Sequence, residues 1–165
     1  METDSIFHHI EEVHFIADAH LGKLTRALRL LGFDTLYRND LTAKEILAIA
    51  ERQDRFMLPR SARLTNARSL QPGFQIRSEQ PEKQLKEVIN RFNLLPISEP
   101  FRRCLKCNGM IAKVPKSEVI DGLRPDTIRF FNEFYQCTSC KTVYWKGSHY
   151  ERMLKLISDL RRSTP

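Results

Sequence analysis

The first hundred residues switch repeatedly between two hydrophobic periods. Val13-His14-Phe15-Ile16-Ala17 is a short apolar run that stops at Asp18, the pattern of a buried strand. Leu21, Leu24, Leu28 and Leu31 then recur at helical spacing, with Lys23, Arg26 and Arg29 on other faces, where they read as a solvated surface. Gly32 stands where a helix C-terminus favours a left-handed residue. Residues 33–37 read as a second strand, followed by Arg38-Asn39-Asp40. Thr42-Ala43-Lys44-Glu45 has capping-box spacing, and Ile46, Leu47, Ile49 and Ala50 continue that helix. Arg55-Phe56-Met57-Leu58 is a third strand running into Pro59-Arg60-Ser61, with a weak helical pattern over 62–69. After the Pro72-Gly73 turn, residues 74–77 read as a fourth strand. Pro81 then opens a helix with Leu85, Val88, Ile89 and Phe92 on one face.

This β-α-β-α-β-α-β-α order at short spacing predicts an α/β fold, an open parallel sheet with flanking helices. Leu94 to Pro100 carries two prolines and reads as a linker, which gives expected domains of 1–97 and 98–165. Residues 1–12 read as a frayed lead-in, with His8-His9 solvated. Ser148-His149-Tyr150-Glu151 is a second capping-box pattern, ahead of a terminal helix with Met153, Leu154, Ile157 and Leu160.

All the cysteines fall in two CxxC pairs, Cys104/Cys107 and Cys137/Cys140. Each pair puts two thiolates on one tight turn, and two such turns face to face make a closed tetrahedral zinc cage. The alternative is a redox dithiol beside a βαβ unit, which one pair would satisfy. A disulfide framework belongs to secreted chains, and nothing here reads as an export signal. Structural zinc is therefore the expectation. It would staple a segment of about 50 residues, a size at which an apolar core alone is marginal. A closed cage leaves no coordination position for chemistry, so catalysis must come from elsewhere.

Charge divides the chain further. The formal net charge is +7, and it resolves into −3 over residues 1–50, +3 over 51–100 and +7 over 101–165. A basic cysteine-bearing part beside an acidic first part suggests a polyanion-holding arm and a cation-holding site, against the plainer reading of a solubilising surface. No apolar run approaches the roughly 20 residues that span a bilayer. Cytoplasmic is the expected compartment.

In open parallel sheets, function collects beyond the carboxyl ends of the strands. Asp18 follows the first strand and Asp40 lies past the second. Two carboxylates on one edge repel unless a cation lies between them, and Mg²⁺ or Mn²⁺ is the hard ion that carboxylate oxygens and water would hold. The plainer reading makes Asp18 or Asp40 a helix-start carboxylate serving N–H groups. Glu45 is already explained by its capping box. Ser61 stands where a third acid would be expected. Trp145 and Tyr144, beside Lys141 and Lys146, either stack on unpaired bases with Arg102 and Arg103 on phosphates, or pack around the metal core. His20 and His149 read as helix-start residues.

Several stretches resemble one family. They are Phe15-Ile16-Ala17-Asp18 leading into Leu21-Gly22-Lys23-Leu24, the run from Leu28 to Tyr37, Asn39-Asp40, the run from Arg103 to Gly109, and the run from Tyr144 to Tyr150. The family is the Mut-seven C-terminal RNase domain, a PIN-like nuclease fold with a fused zinc ribbon, and the likeness covers residues 13–155. The resemblance implies a metal-dependent ribonuclease in which Asp18 and Asp40, with Glu45 as an adjunct, bind Mg²⁺ or Mn²⁺. The family's third strand ends Thr-Arg-Asp, whereas this chain has Pro59-Arg60-Ser61, so a neutral oxygen replaces a charged ligand. The expected function is hydrolysis of RNA phosphodiesters, with zinc on Cys104, Cys107, Cys137 and Cys140. Lys23, Arg60, Arg102, Arg103, Lys141, Trp145 and Lys146 are the expected RNA contacts. The alternative is an RNA- or ribonucleoprotein-binding module whose metal chemistry has weakened with Ser61. A zinc-stapled protein-interaction adaptor is a third reading.

Overall fold

A computed structural model describes residues 13–62 and 72–163 of the chain. The readings for residues 1–12 and for most of the 62–69 pattern lie outside the described residues. The molecule is a mixed α/β structure with a parallel three-stranded sheet, flanking helices, a second, antiparallel sheet and a C-terminal helix. The chain divides into two compact units: residues 1–28 with 33–98, and residues 29–32 with 99–165.

In the first unit β1 (His14–Ala17), α1 (Gly22–Leu30), β2 (Asp34–Leu36), α2 (Ala43–Gln53), β3 (Phe56–Leu58) and α3 (Pro81–Phe92) follow one another. The sheet order is β2-β1-β3, all parallel, with Phe15 beside Thr35 and Phe56, and Ile16 beside Leu36 and Met57. Both faces are covered. Ile16 and Met57 pack with Ile46 and Ala50 of α2. On the other face Phe15 and Phe56 each meet the Phe92 ring edge-on at 5.2 Å. A sheet buried on both faces needs continuous apolar strands, which is why the strands read as runs and not as alternations.

The helix ends follow their local chemistry. Phe33 N–H donates to Leu28 O and Gly32 N–H to Arg29 O, each at 3.0 Å, with Gly32 at φ 97°, so α1 closes in a Schellman motif. The α2 capping box forms as expected: Thr42 N–H donates to Glu45 Oε2 at 2.8 Å, and Glu45 N–H to Thr42 Oγ1 at 3.3 Å. Pro81 takes the first turn of α3, and Leu85, Val88, Ile89 and Phe92 are buried.

The fourth strand expected at residues 74–77 does not form a ladder. Phe74 N–H donates to Met57 O and Ile76 N–H to Pro59 O, yet the segment joins β3 by a single bridge at Gly73. Pro59 has no N–H to return a bond, so pairing ends there. The expected linker is packed at its start: Leu94 is fully buried, and Leu95–Ile97 forms a 3₁₀ turn.

The second unit carries β4 (Ile111–Val114), α4 (Pro125–Phe130), β5 (Phe134–Cys137), β6 (Val143–Trp145) and α5 (Ser148–Ser163). The strands pair antiparallel in the order β4-β5-β6. Lys113, Tyr135 and Tyr144 share one row, while Val114, Phe134 and Trp145 share the next, on the opposite face. The capping box expected at Ser148 is displaced. Glu151 N–H donates to Gly147 O at 3.2 Å, so Gly147 takes the N-cap position and Ser148 lies inside the helix. Among the described residues no helix is long and apolar enough to cross a membrane.

A half-buried ion pair ties the amino-terminal edge of the parallel sheet. Arg55 Nη1 donates to Asp34 Oδ1 at 2.6 Å and to Phe15 O at 3.1 Å, with the two side chains 11% and 16% exposed. Breaking such a pair leaves a desolvated guanidinium. Asp34→Ala is expected to cost roughly 3 kcal/mol of stability, read as a lowered urea midpoint with an unchanged slope.

Candidate functional site

The carboxyl edge of the parallel sheet holds the acidic candidates. With right-handed crossovers, β1→β2 and β2→β3 run in opposite directions, so the crevice opens at the carboxyl ends beside the central strand. Asp18 leaves β1 there. Its N–H donates to Leu58 O at 3.1 Å, and its carboxylate accepts from Arg60 N–H at 3.2 Å and His20 N–H at 3.3 Å. Asp18 thus serves N–H groups as a helix-start carboxylate would, from the ends of two strands at once. Two N–H partners leave lone pairs available on a group with about four acceptor sites.

Asp40 is engaged differently. Arg38 grips it with both arms, Nε to Oδ1 at 3.0 Å and Nη2 to Oδ2 at 2.6 Å. That hydrogen bonding holds the Asp40 carboxyl below its ordinary range. Glu45 Oε2 is taken by the N–H and hydroxyl of Thr42, which likewise hold its carboxyl low. Ser61 is exposed. Arg60, expected on RNA, turns its Nη1 onto the carbonyls of Ile76, Arg77 and Ser78 at 3.2, 3.1 and 2.5 Å. Lys23 is exposed on α1. Among the described residues, no group of three or more acids, histidines and cysteines gathers closely enough to hold a metal except the four cysteines.

Those four do converge. The sulfurs of Cys104, Cys107, Cys137 and Cys140 lie within 4.8 Å of one another, with 3.6 Å between Cys104 and Cys140 and 3.4 Å between Cys107 and Cys137. A tetrahedral site with Zn–S bonds near 2.3 Å spaces its sulfurs about 3.8 Å apart. Disulfide sulfurs sit at about 2.05 Å, so these are thiols or thiolates. The donor set fits zinc. The two turns repeat one design. Asn108 N–H donates to Cys104 O at 2.9 Å and Lys141 N–H to Cys137 O at 3.1 Å, and both residues are left-handed at φ 73° and 60°. Gly109 lets the turns close on each other, because a Cβ there would lie 2.6 Å from Ser139 Oγ and 2.9 Å from Cys137 Sγ.

Around the sulfurs sits a shell that spacing alone does not reveal. Tyr144 Oη lies 3.0 Å from Cys104 Sγ and accepts the Leu105 N–H at 3.2 Å. Burial, then Cys104, pushes the phenol pKa up, so the hydroxyl stays protonated beside the sulfur. Thr142 Oγ1 lies 3.1 Å from Cys140 Sγ and brings that thiol down to about 6, while burial pushes the Cys107 thiol up to about 12. Arg29 corrects the expectation of a solvated helix face. It is 4% exposed, and its Nη1 donates to the carbonyls of Leu105 and Lys106 at 3.2 and 3.1 Å, bracing the first cysteine turn within the second unit. A helical wheel places Arg29 off the leucine stripe. The carbonyls of the first cysteine turn help to account for its burial. His149 is exposed and outside the sulfur group.

Of the expected RNA contacts, Arg102, Arg103, Trp145 and Lys146 border one cavity of about 420 Å³ in the second unit. Lys141 is exposed in the second cysteine turn. Trp145 lies 6.4 Å from Phe131, ring to ring, on the sheet face opposite the Tyr144 row. Tyr144 packs at the sulfur cluster, as the metal-core reading of the aromatic pair has it, and also lines the cavity.

A parallel α/β sheet with flanking helices and a four-cysteine cluster near the C-terminus define the class. Residues 13–157 match the family model described as the Mut7-C RNAse domain, and the chain belongs to that family. Membership carries a nuclease-like or RNA-related function. No curated protein and no solved structure matches the chain.

If Tyr144 donates to a metal-bound Cys104 sulfur, removing its hydroxyl weakens the metal. Tyr144→Phe is expected to bind zinc roughly 10- to 100-fold more weakly, the range for lost outer-shell partners. Competition with a chromogenic chelator measures this, and the unsubstituted chain should hold one zinc.

Proposed function

We propose that this protein hydrolyses RNA phosphodiesters, with the carboxyl edge of a PIN-like domain, residues 1–97, as the chemical site and a basic zinc ribbon, residues 98–165, holding the RNA. The observation that carries the reading is the placement of Asp18. It sits at the carboxyl end of the central parallel strand and is hydrogen-bonded to the end of its neighbour, with carboxylate lone pairs to spare.

Asp18 and Asp40 would hold Mg²⁺ or Mn²⁺, with Glu45 available if its cap opens. The Arg38–Asp40 pair is no obstacle. Its side chains are 62% and 60% exposed, and a solvent-screened pair yields readily to a divalent ion. A bound ion of this kind activates water and stabilises charge on a phosphodiester. The protein's own part is to orient Asp18 through the Arg60 and His20 N–H groups and to keep Asp40 ionised beside Arg38.

A second reading, a weakened RNA- or ribonucleoprotein-binding module, draws support from Ser61. A neutral hydroxyl contributes no charge to cation binding.

Cleavage of labelled single-stranded RNA with Mn²⁺ or with EDTA separates the two. Hydrolysis should require the ion and fall at least about 100-fold in Asp18→Asn, beyond the loss typical of outer-shell changes, while zinc content and RNA binding persist. Ser61→Asp should raise the rate. RNA binding without cleavage in the unsubstituted chain would select the second reading.

A further inference from the structure

The cavity of the second unit joins two chemistries that rarely meet by chance. Its floor is one face of the antiparallel sheet, where Tyr135 and Tyr144 stand in one row with Lys113 at its end. Its far wall is an aromatic pair, Phe101 and Tyr150, with ring centroids 4.6 Å apart. These four rings are half-buried, so apolar ring surface is offered to whatever enters.

The rim is basic. Arg102 pairs with Glu99, while Lys113 and Lys146 share one carboxylate, Glu133, at 2.9 and 3.1 Å. Arg103 Nη1 donates to Asn108 O at 3.1 Å. Among these side chains three cations, Arg102, Lys113 and Lys146, face the two carboxylates of Glu99 and Glu133, which leaves an excess of positive charge. The Lys113–Glu133–Lys146 bridge is solvent-exposed and screened, so a phosphate can take a lysine from it at little cost.

We infer that this cavity receives an unpaired nucleotide of single-stranded RNA, with the base against the tyrosine face and the phosphate on the lysine rim. The inference rests on the RNA reading proposed above and deepens it. An apolar ligand would leave the rim cations without a role, and inorganic phosphate would leave the rings without one. A nucleotide uses both. At about 420 Å³ the volume suits one small ligand and not a helix, and duplex RNA keeps its base faces stacked away from protein. Tyr144 also ties the floor to the cysteine cluster through Cys104, so the zinc-loaded full chain is the material to test.

The experiment measures anisotropy of a labelled six-nucleotide single-stranded RNA, with adenosine monophosphate, inorganic phosphate, duplex RNA and an acidic aromatic peptide as competitors. Tyr135 makes no hydrogen bond to the cysteines among the described residues and serves as the probe. Tyr135→Ala should weaken binding about tenfold or more, the scale of one lost base stack, with zinc content and melting temperature unchanged. Tyr135→Phe keeps the ring and should bind as the parent does. Lys113→Ala should lower the salt dependence by about one phosphate contact. Adenosine monophosphate should compete where phosphate does not. Parent-like binding by Tyr135→Ala, while the unsubstituted chain binds RNA, would overturn the pocket and leave the RNA reading intact. No RNA binding by the unsubstituted chain at low salt would overturn both. Competition by duplex, or by the peptide and not the nucleotide, would overturn the assignment in favour of another occupant.

Discussion

Four sulfurs within 4.8 Å of one another are the constraint on which the second unit depends. Two like charges 3.5 Å apart repel by about 5 kcal/mol at an effective dielectric of 20, and four thiolates repeat that cost over every pair. A cation at their centre would turn the repulsion into a cross-link. Such a staple suits this unit, because its strands are three or four residues long and its fully buried apolar side chains are few. The rest is arranged about this point. Gly109 lets the two turns approach, the left-handed Asn108 and Lys141 fold them, Arg29 braces one from behind, and Tyr144 and Thr142 address the sulfurs. The Tyr144 hydroxyl beside Cys104 belongs to a ring that lines the cavity, so the four-sulfur cluster and the cavity share a side chain.

The first unit obeys a different rule. Its sheet is buried on both faces, so polar groups have no place along the strands and are delivered at their ends. The amino-terminal edge is closed by the Asp34–Arg55 pair across three strands. The carboxyl edge instead carries Asp18, reached by N–H groups rather than by a guanidinium, and so still able to accept a cation. Paired charge at one edge and acceptor capacity at the other give the sheet its polarity of use. Arg60 contributes through its backbone N–H to Asp18, while its guanidinium pins the chain at residues 76–78.

Where expectation and structure part, the cause is a partner distant in sequence or a donor that is missing. Arg29 obeys its helix periodicity and yet is buried, because carbonyls more than seventy positions away accept its protons. The fourth strand fails as a ladder because Pro59 cannot donate. At the last helix Gly147, with its carbonyl already in place, takes the cap that Ser148 was expected to fill. Tyr144 and Trp145, adjacent in the chain, separate onto opposite sheet faces because strand side chains alternate, which no reading of aromatic content alone would assign.

The sequence by itself determined most of the elements and the four-sulfur cluster. Apolar runs and leucine periodicity marked the strands and helices, Thr42 and Glu45 capped α2, Gly32 ended α1, and two CxxC pairs specified a four-sulfur site, because each signal acts within a few residues. Only the tertiary structure decided which cations stand at a cavity rim and which serve backbone carbonyls, which ring faces the cavity, and that Arg38 clasps Asp40 while backbone N–H groups hold Asp18. Those outcomes turn on burial and on partners brought together by strand pairing and turn geometry. Local spacing encodes neither.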